Sequence, residues 1–168
     1  MKVPEIARPM HKQLCELLPR MRRFARSLTG DPHDADDVVQ TAVERALARS
    51  SQWREELGGL EVWLFGIVRN AWVDEVRARQ RRWQVFATEA DGEYVGQTPI
   101  DAHVVAMSVE AAMARLPQEQ RMAVALVLVE GLSYKEAAAV LEVPMGTLTS
   151  RLARGRDALQ RMLGGSAE

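Results

Sequence analysis

In the stretch "YKEAAAVLEVPMGTLTSRLARGRDAL" (Tyr134 to Leu159), two apolar patterns of helical period are separated by the short break "EVPM". Ser133 and Glu136 stand at capping-box spacing, so the first helix opens at the start of the stretch. The second is expected from Gly146 or Thr147 to Leu163, with Leu148, Leu152, Leu159 and Met162 facing inward. Its outward face carries Thr149, Ser150, Arg151 and Arg154. Two helices joined by a short turn, with arginine and hydroxyls early in the second, have helix-turn-helix form, and such a helix fits the major groove. A helical hairpin built for protein contact has the same pattern, so both readings stand at this point.

Upstream, "MSVEAAMARL" and "PQEQRMAVALVLVEG" read as two more helices, with Pro117 near a helix start and Gly131 just past an end. Before them, "FATEADGEYVGQTPIDAH" (86–103) is polar, contains glycines and a proline, and has no sustained period. Apolar residues elsewhere recur at three- and four-residue spacing and no alternating strand pattern is found. The expected fold is therefore all-α: two small helical domains, at 8–84 and 106–164, joined by a flexible linker at 85–105.

In the first block, Leu14, Leu17, Leu18, Met21, Phe24 and Leu28 mark a helix that Gly30 stops. Asp31 to Asp34 start the next, since acidic groups favour the positive end of the helix dipole. Successive 100° steps put Val38, Val39, Ala42, Val43 and Ala46 on one arc and Asp36, Asp37, Gln40 and Glu44 on the other. After "SSQWREELGG" a long helix is expected from about Leu60 to Trp83. Its core face holds Leu64, Phe65, Ile67, Val68, Ala71, Trp72 and Val76, while Trp63, Gly66, Asn70, Asp74, Arg77 and Arg81 share a narrow opposite arc. A ring to stack, an amide to hydrogen-bond and cations for phosphates suit an unstacked base. The competing reading packs Trp63 under the preceding loop and leaves Asn70 without a role.

The net charge of −1 hides regions of opposite sign. Nineteen of the 22 basic residues are arginine, whose planar fork suits phosphates and base edges, and they crowd into 69–82 and 151–161. For any one cluster, a solvated helix face is the ordinary alternative. Cys15 is the single cysteine, which excludes an internal disulfide and is expected as a core thiol. Neither a run of 18 apolar residues nor a signal-like N-terminus occurs, so no membrane insertion and a cytoplasmic location are expected. His11, His33 and His103 are scattered, and neither a phosphate-binding glycine loop nor a nucleophile elbow is present. No catalytic residues, metal ligands or cofactor are expected, and the chain does not read as an enzyme.

Three segments, "LTGDPHDADDVVQTAVERAL", "VWLFGIVRNAWVDEVRARQRR" and "LPQEQRMAVALVLVEGLSYKEAAAVLEVPMGTLTSRLARGRDAL", in that order and spacing, resemble the extracytoplasmic-function sigma factors of the sigma-70 family. The resemblance covers about 10–164. It implies a region 2 helical bundle that docks on core RNA polymerase and opens the −10 element, and a region 4 helix-turn-helix that reads the −35 element. Asp36, Asp37, Gln40 and Glu44 then fall on the polymerase-binding face. Trp63, Asn70, Arg77 and Arg81 fall on the −10 surface, with Asn70 helping to hold a flipped base beside the loop 51–60. Thr147, Thr149, Ser150, Arg151, Ala153 and Arg154 fall on the −35 surface. Promoter DNA, core polymerase and an anti-sigma factor are the implied partners. The family often has a basic residue at position 149 and glycine at 142, where this chain has Thr149 and Glu142; Ala137 and Ala138 also replace the larger aliphatic often found beside the family's alanine. The rival readings are a sigma mimic that sequesters an anti-sigma factor and a stand-alone repressor.

Overall fold

The computed structural model describes residues 7–55, 58–89 and 108–164, and among these every regular element is a helix. The first half contains α1 (Ala7–Thr29), α2 (Pro32–Ala48), a 3₁₀ turn (Ser50–Gln52) and α3 (Leu60–Glu89). The second contains α4 (Val109–Arg115), α5 (Gln118–Val124) running into a π-helical turn (Ala125–Val129), α6 (Tyr134–Leu141) and α7 (Met145–Leu163).

Local chemistry sets the boundaries. Gly30 ends α1 at φ 71°, a left-handed conformation that glycine adopts without steric cost. The Asp31 carboxylate then caps α2, accepting from the N–H groups of His33 and Asp34, and those bonds hold its pKa below the ordinary carboxylate value. The capping box at α6 forms as expected. Glu136 N–H donates to Ser133 Oγ at 3.2 Å, while Ser133 N–H and Oγ both donate to the Glu136 carboxylate at 2.8 Å.

Two boundaries and the placement of one side chain differ from the sequence reading. α3 continues six residues past Trp83 to Glu89, into the expected linker. Nothing in "RRWQVFATE" breaks a helix, and Arg79 and Arg82 both reach Glu75 one and two turns back. The remainder of the linker, 90–105, lies outside the described residues, as do Glu56 and Leu57 of the 51–60 loop. α7 begins at Met145 because Pro144, extended at ψ 151°, serves as its cap, and Leu148 N–H donates to the Pro144 carbonyl. Cys15 is exposed rather than a core thiol. It lies one helical step from Leu14, which brings it outside the arc that Leu14, Met21 and Phe24 bury.

The core of the first half centres on Phe24 and Phe65, whose rings meet edge to face at 5.3 Å and 85°. In the second half Leu126, Leu148 and Leu152 are buried, and α7 lies against α5 across Gly155. The halves also touch each other: α1 lies along α4, α5 and the π turn, and α6 packs on α3.

A Cβ at position 155 would lie 2.7 Å from Val124 Cγ2 and 3.4 Å from the Gln120 carbonyl, whereas one at Gly146 meets nothing within 4 Å. Alanine normally stabilises a helix interior by up to about 1 kcal/mol over glycine, but overpacking a stiff valine costs about 1–3 kcal/mol. Gly155→Ala should therefore destabilise by about 1 kcal/mol and Gly146→Ala should be neutral or stabilising, as read by urea denaturation. Hydrogen bonds from Ser133 lower the Glu136 pKa below its ordinary 4.5, so they contribute stability above that pH and lose it as pH falls through the folded value. Ser133→Ala should cost about 1 kcal/mol at neutral pH, and its stability gap to wild type should narrow as the pH drops below about 4.5.

Candidate nucleic-acid interface

The helix-turn-helix is aimed by the inward leucines of α7. With Leu148 and Leu152 buried, Thr149, Ser150 and Arg154 are exposed on the opposite face, and Thr147 and Arg151 are half-buried at its edge. Two details alter the sequence picture. Thr149 Oγ1 donates to the Met145 carbonyl at 2.9 Å, one turn back, which engages the hydroxyl proton within the helix. Arg151 Nη2 is bound to Glu119 Oε2 at 2.9 Å, so its guanidinium is held at α5. Arg154 makes no ion pair among the described residues, leaving its fork open.

On α3, Asn70, Asp74, Arg77 and Arg81 are exposed as the helical phase predicts. Arg77 and Arg81 form no ion pairs among the described residues, whereas Asp74 accepts from Arg45 at 2.7 Å and Glu75 from Arg79 at 2.8 Å. Trp63 is half-buried and packed against the core, so less of its ring faces outward than the narrow-arc reading expects. Arg69, part of the 69–82 arginine cluster but on neither arc of the expected helix, is the organising group beside Asn70. Its Nη1 donates to Asn70 Oδ1 at 2.9 Å and to Glu142 Oε2, from the end of α6, at 3.1 Å. Its Nε is buried with no partner among the described residues. Glu142 sits at φ 55° and ψ 43°, a left-handed conformation costing a non-glycine residue roughly 1–2 kcal/mol.

The acidic arc of α2 is also exposed: Asp36, Asp37, Gln40 and Glu44 all face outward while Ala35, Val38, Val39, Ala42 and Ala46 are buried. Gln40 Nε2 donates to Glu44 Oε1 at 3.2 Å and Arg22 lies 3.6 Å from Asp36, but Asp37 has no ion pair among the described residues.

A further polar cluster joins the two halves. Glu130, at the end of the π turn, has a fully buried carboxylate. Arg20 donates to its Oε2 at 3.2 Å and to its backbone carbonyl at 2.7 Å, and Arg23 donates to both carboxylate oxygens at 2.8 and 2.7 Å. The bond to Glu130 raises the Arg23 pKa above its ordinary value. Arg121, whose pKa burial lowers, donates to the carbonyls of Leu28, Ala114 and Leu116. No spacing rule in sequence pairs Arg20 with a residue 110 positions away; a glutamate within the apolar run 122–132 was the one available signal.

Among the described residues, no cluster of His, Cys, Asp or Glu has the makings of a metal site, and no helix is long and apolar enough to cross a membrane. Family models of sigma-70 region 2 and sigma-70 region 4 match residues 15–82 and 106–159. The chain is 39% identical over 153 residues to the ECF RNA polymerase sigma factor EcfG of Rhodopseudomonas palustris, spanning 87% of this chain and 80% of that protein. It is 35% identical to SigM of Mycobacterium tuberculosis, over 95% of this chain and 76% of that one. Among solved structures it is similar to the sigma factor RpoE of Bartonella quintana in complex with the anti-sigma factor NepR, with a TM-score of 0.78, 31% identity, and coverage of 95% of this chain and 99% of that one.

Proposed function

The chain belongs to the sigma-70 family as an extracytoplasmic-function sigma factor, and on that premise we propose that it is an alternative transcription initiation factor directing core RNA polymerase to paired −35 and −10 elements. We assign residues 8–84 to polymerase docking and −10 opening, 85–105 to the connection and 106–164 to −35 reading. Its site of action is the cytoplasm, where polymerase and chromosome meet. The observation that carries the reading is the phase of three helices. Each buries an apolar face and leaves outward the residues its task requires: Asp37 on α2, Asn70 with Arg77 and Arg81 on α3, Ser150 with Arg154 on α7.

In this scheme the α2 arc of Asp36, Asp37, Gln40 and Glu44 meets a basic surface of polymerase. Asn70 holds an extruded −10 base, Arg77 and Arg81 contact the backbone, and Trp63 adds only the exposed edge of its ring. On α7, Arg154 is the principal base-reading donor, with Ser150, Thr147 and the Thr149 methyl supporting it, and Arg151 joins after release from Glu119. The solved relative bound to an anti-sigma factor supports a partner of that kind for this chain too. A sigma mimic that never touches DNA has no use for outward Asn70, Arg77, Ser150 and Arg154, all of which are present.

Geometry adds a constraint. A compact chain of 168 residues is about 40 Å across, while elements centred near −35 and −10 lie roughly 25 base pairs, about 85 Å, apart. The two halves therefore part before both elements are read.

Core polymerase with this protein should transcribe from a subset of a genomic promoter pool that core alone leaves silent. Asp37→Arg should weaken capture by core about tenfold with the helical content unchanged; equal capture would remove α2 from the interface. Arg154→Ala should relax preference at one or two −35 positions by about 1–3 kcal/mol in a promoter library randomised there. A uniform fall across all sequences would reassign Arg154 to phosphate.

A further inference from the structure

Glu142 is an odd residue to find at the end of α6. Its N–H closes the helix onto Ala139 and Ala138, a job glycine does without strain, so the turn itself has no need of a carboxylate. The side chain is 71% exposed and is directed across to α3, where Oε2 meets Arg69 Nη1 at 3.1 Å. The same Nη1 also donates to Asn70 Oδ1, and Arg69 Nε is shut away without an acceptor among the described residues. Arg69 thus presents Nη1 to oxygens beside the amide assigned to the extruded base. The group it does hold is an anion supplied by the other half of the chain. Carboxylate and phosphate oxygens accept from an arginine in the same way, so a phosphate oxygen can stand at Nη1 where Glu142 Oε2 stands.

We propose that Arg69 is a binding group for a backbone phosphate of the single strand that Asn70 holds, and that in the closed chain the Glu142 carboxylate occupies that phosphate position. This deepens the α3 reading above and rests on it. Parting the halves withdraws Glu142 and delivers Arg69 to the nucleic acid, so exposure of the −10 surface and freeing of one phosphate site are the same event. A strained left-handed glutamate is retained because its side chain, rather than its backbone, has the task.

The experiment is fluorescence anisotropy of the full chain with a fluorescein-labelled single-stranded oligodeoxynucleotide pool, across a salt series. Glu142→Gln and Glu142→Gly should each tighten binding about two- to fivefold, the scale of an exposed ion pair. Each should also steepen the slope of log affinity against log salt by about 0.7, one more phosphate neutralised on a single strand. Adding Arg69→Ala to Glu142→Gln should abolish both effects. Asn70→Ala tests the underlying reading and should weaken binding in every background. If Asn70→Ala weakens binding but neither Glu142 variant changes affinity or slope, the competition is overturned and the α3 reading survives. Tightening by glycine alone, without glutamine, would mean that relaxed backbone opens the chain and would overturn the phosphate mimicry. Absence of binding by every variant would end both.

Discussion

A carboxylate withdrawn from water is costly unless its oxygens are paired, and Glu130 meets that condition only while α1 lies against the turn that follows α5. Arg20 and Arg23 come from neighbouring turns of α1 and enclose it from two sides, with Arg20 also bound to Glu61 on α3 and its guanidinium 5.5 Å from the centre of the Phe65 ring. Three helices are thereby registered on one buried charge. Given that register, α6 comes to rest on α3, and Glu142 reaches the side chain next to Asn70. Such a seam is specific without being permanent. Removing one partner by mutation strands the others, but parting the halves rehydrates all of them together, and the lost pairing is offset by recovered hydration. The Arg20 and Arg23 side chains already stand 29% and 52% exposed, so water enters the seam from its edge.

The surfaces assigned to polymerase and promoter are products of helical phase. An α-helix that buries one stripe has no freedom in what it displays opposite, so Ala35, Val38 and Ala42 aim Asp37, and Leu148 with Leu152 aims Arg154. Gly155 belongs to the same logic: by letting α7 approach Val124 it sets how far the recognition face projects. Ion pairs also link α2 and α3, with Arg79 meeting Glu75 on its own helix and Asp34 on α2, and its pKa raised by both.

Most of what depends on local spacing was legible in the sequence. Gly30, Asp31, Gly131 and the Ser133–Glu136 box mark their boundaries because caps act within four residues, and the buried and exposed arcs of α2, α3 and α7 follow from a 100° step. Cys15 was misplaced by composition, since cysteine is commonly buried, although its helical phase beside Leu14 pointed outward. Trp63 was placed on the outer arc by angle alone, but a ring that large reaches the core from the edge of the arc. The partners that bridge the halves were beyond reach for a different reason. Glu130, Glu119 and Glu142 each meet arginines on other helices, and a one-dimensional pattern contains no term for which helix lies alongside.

Those three glutamates also give physical meaning to a near-neutral chain rich in arginine. Arg20 and Arg23 are occupied by Glu130, Arg69 by Glu142 and Arg151 by Glu119, so cations on both promoter-facing halves are neutralised from within. Nonspecific affinity rises with the number of phosphates neutralised, and each arginine paired within the closed chain is one fewer available for them. Polymerase changes the balance without adding a single base contact. In the proposed scheme, holding the halves apart removes Glu142 from Arg69, and once one element is engaged the other is met at high effective concentration. On the proposed function, weak free binding and selective bound reading are two consequences of the same charge arrangement.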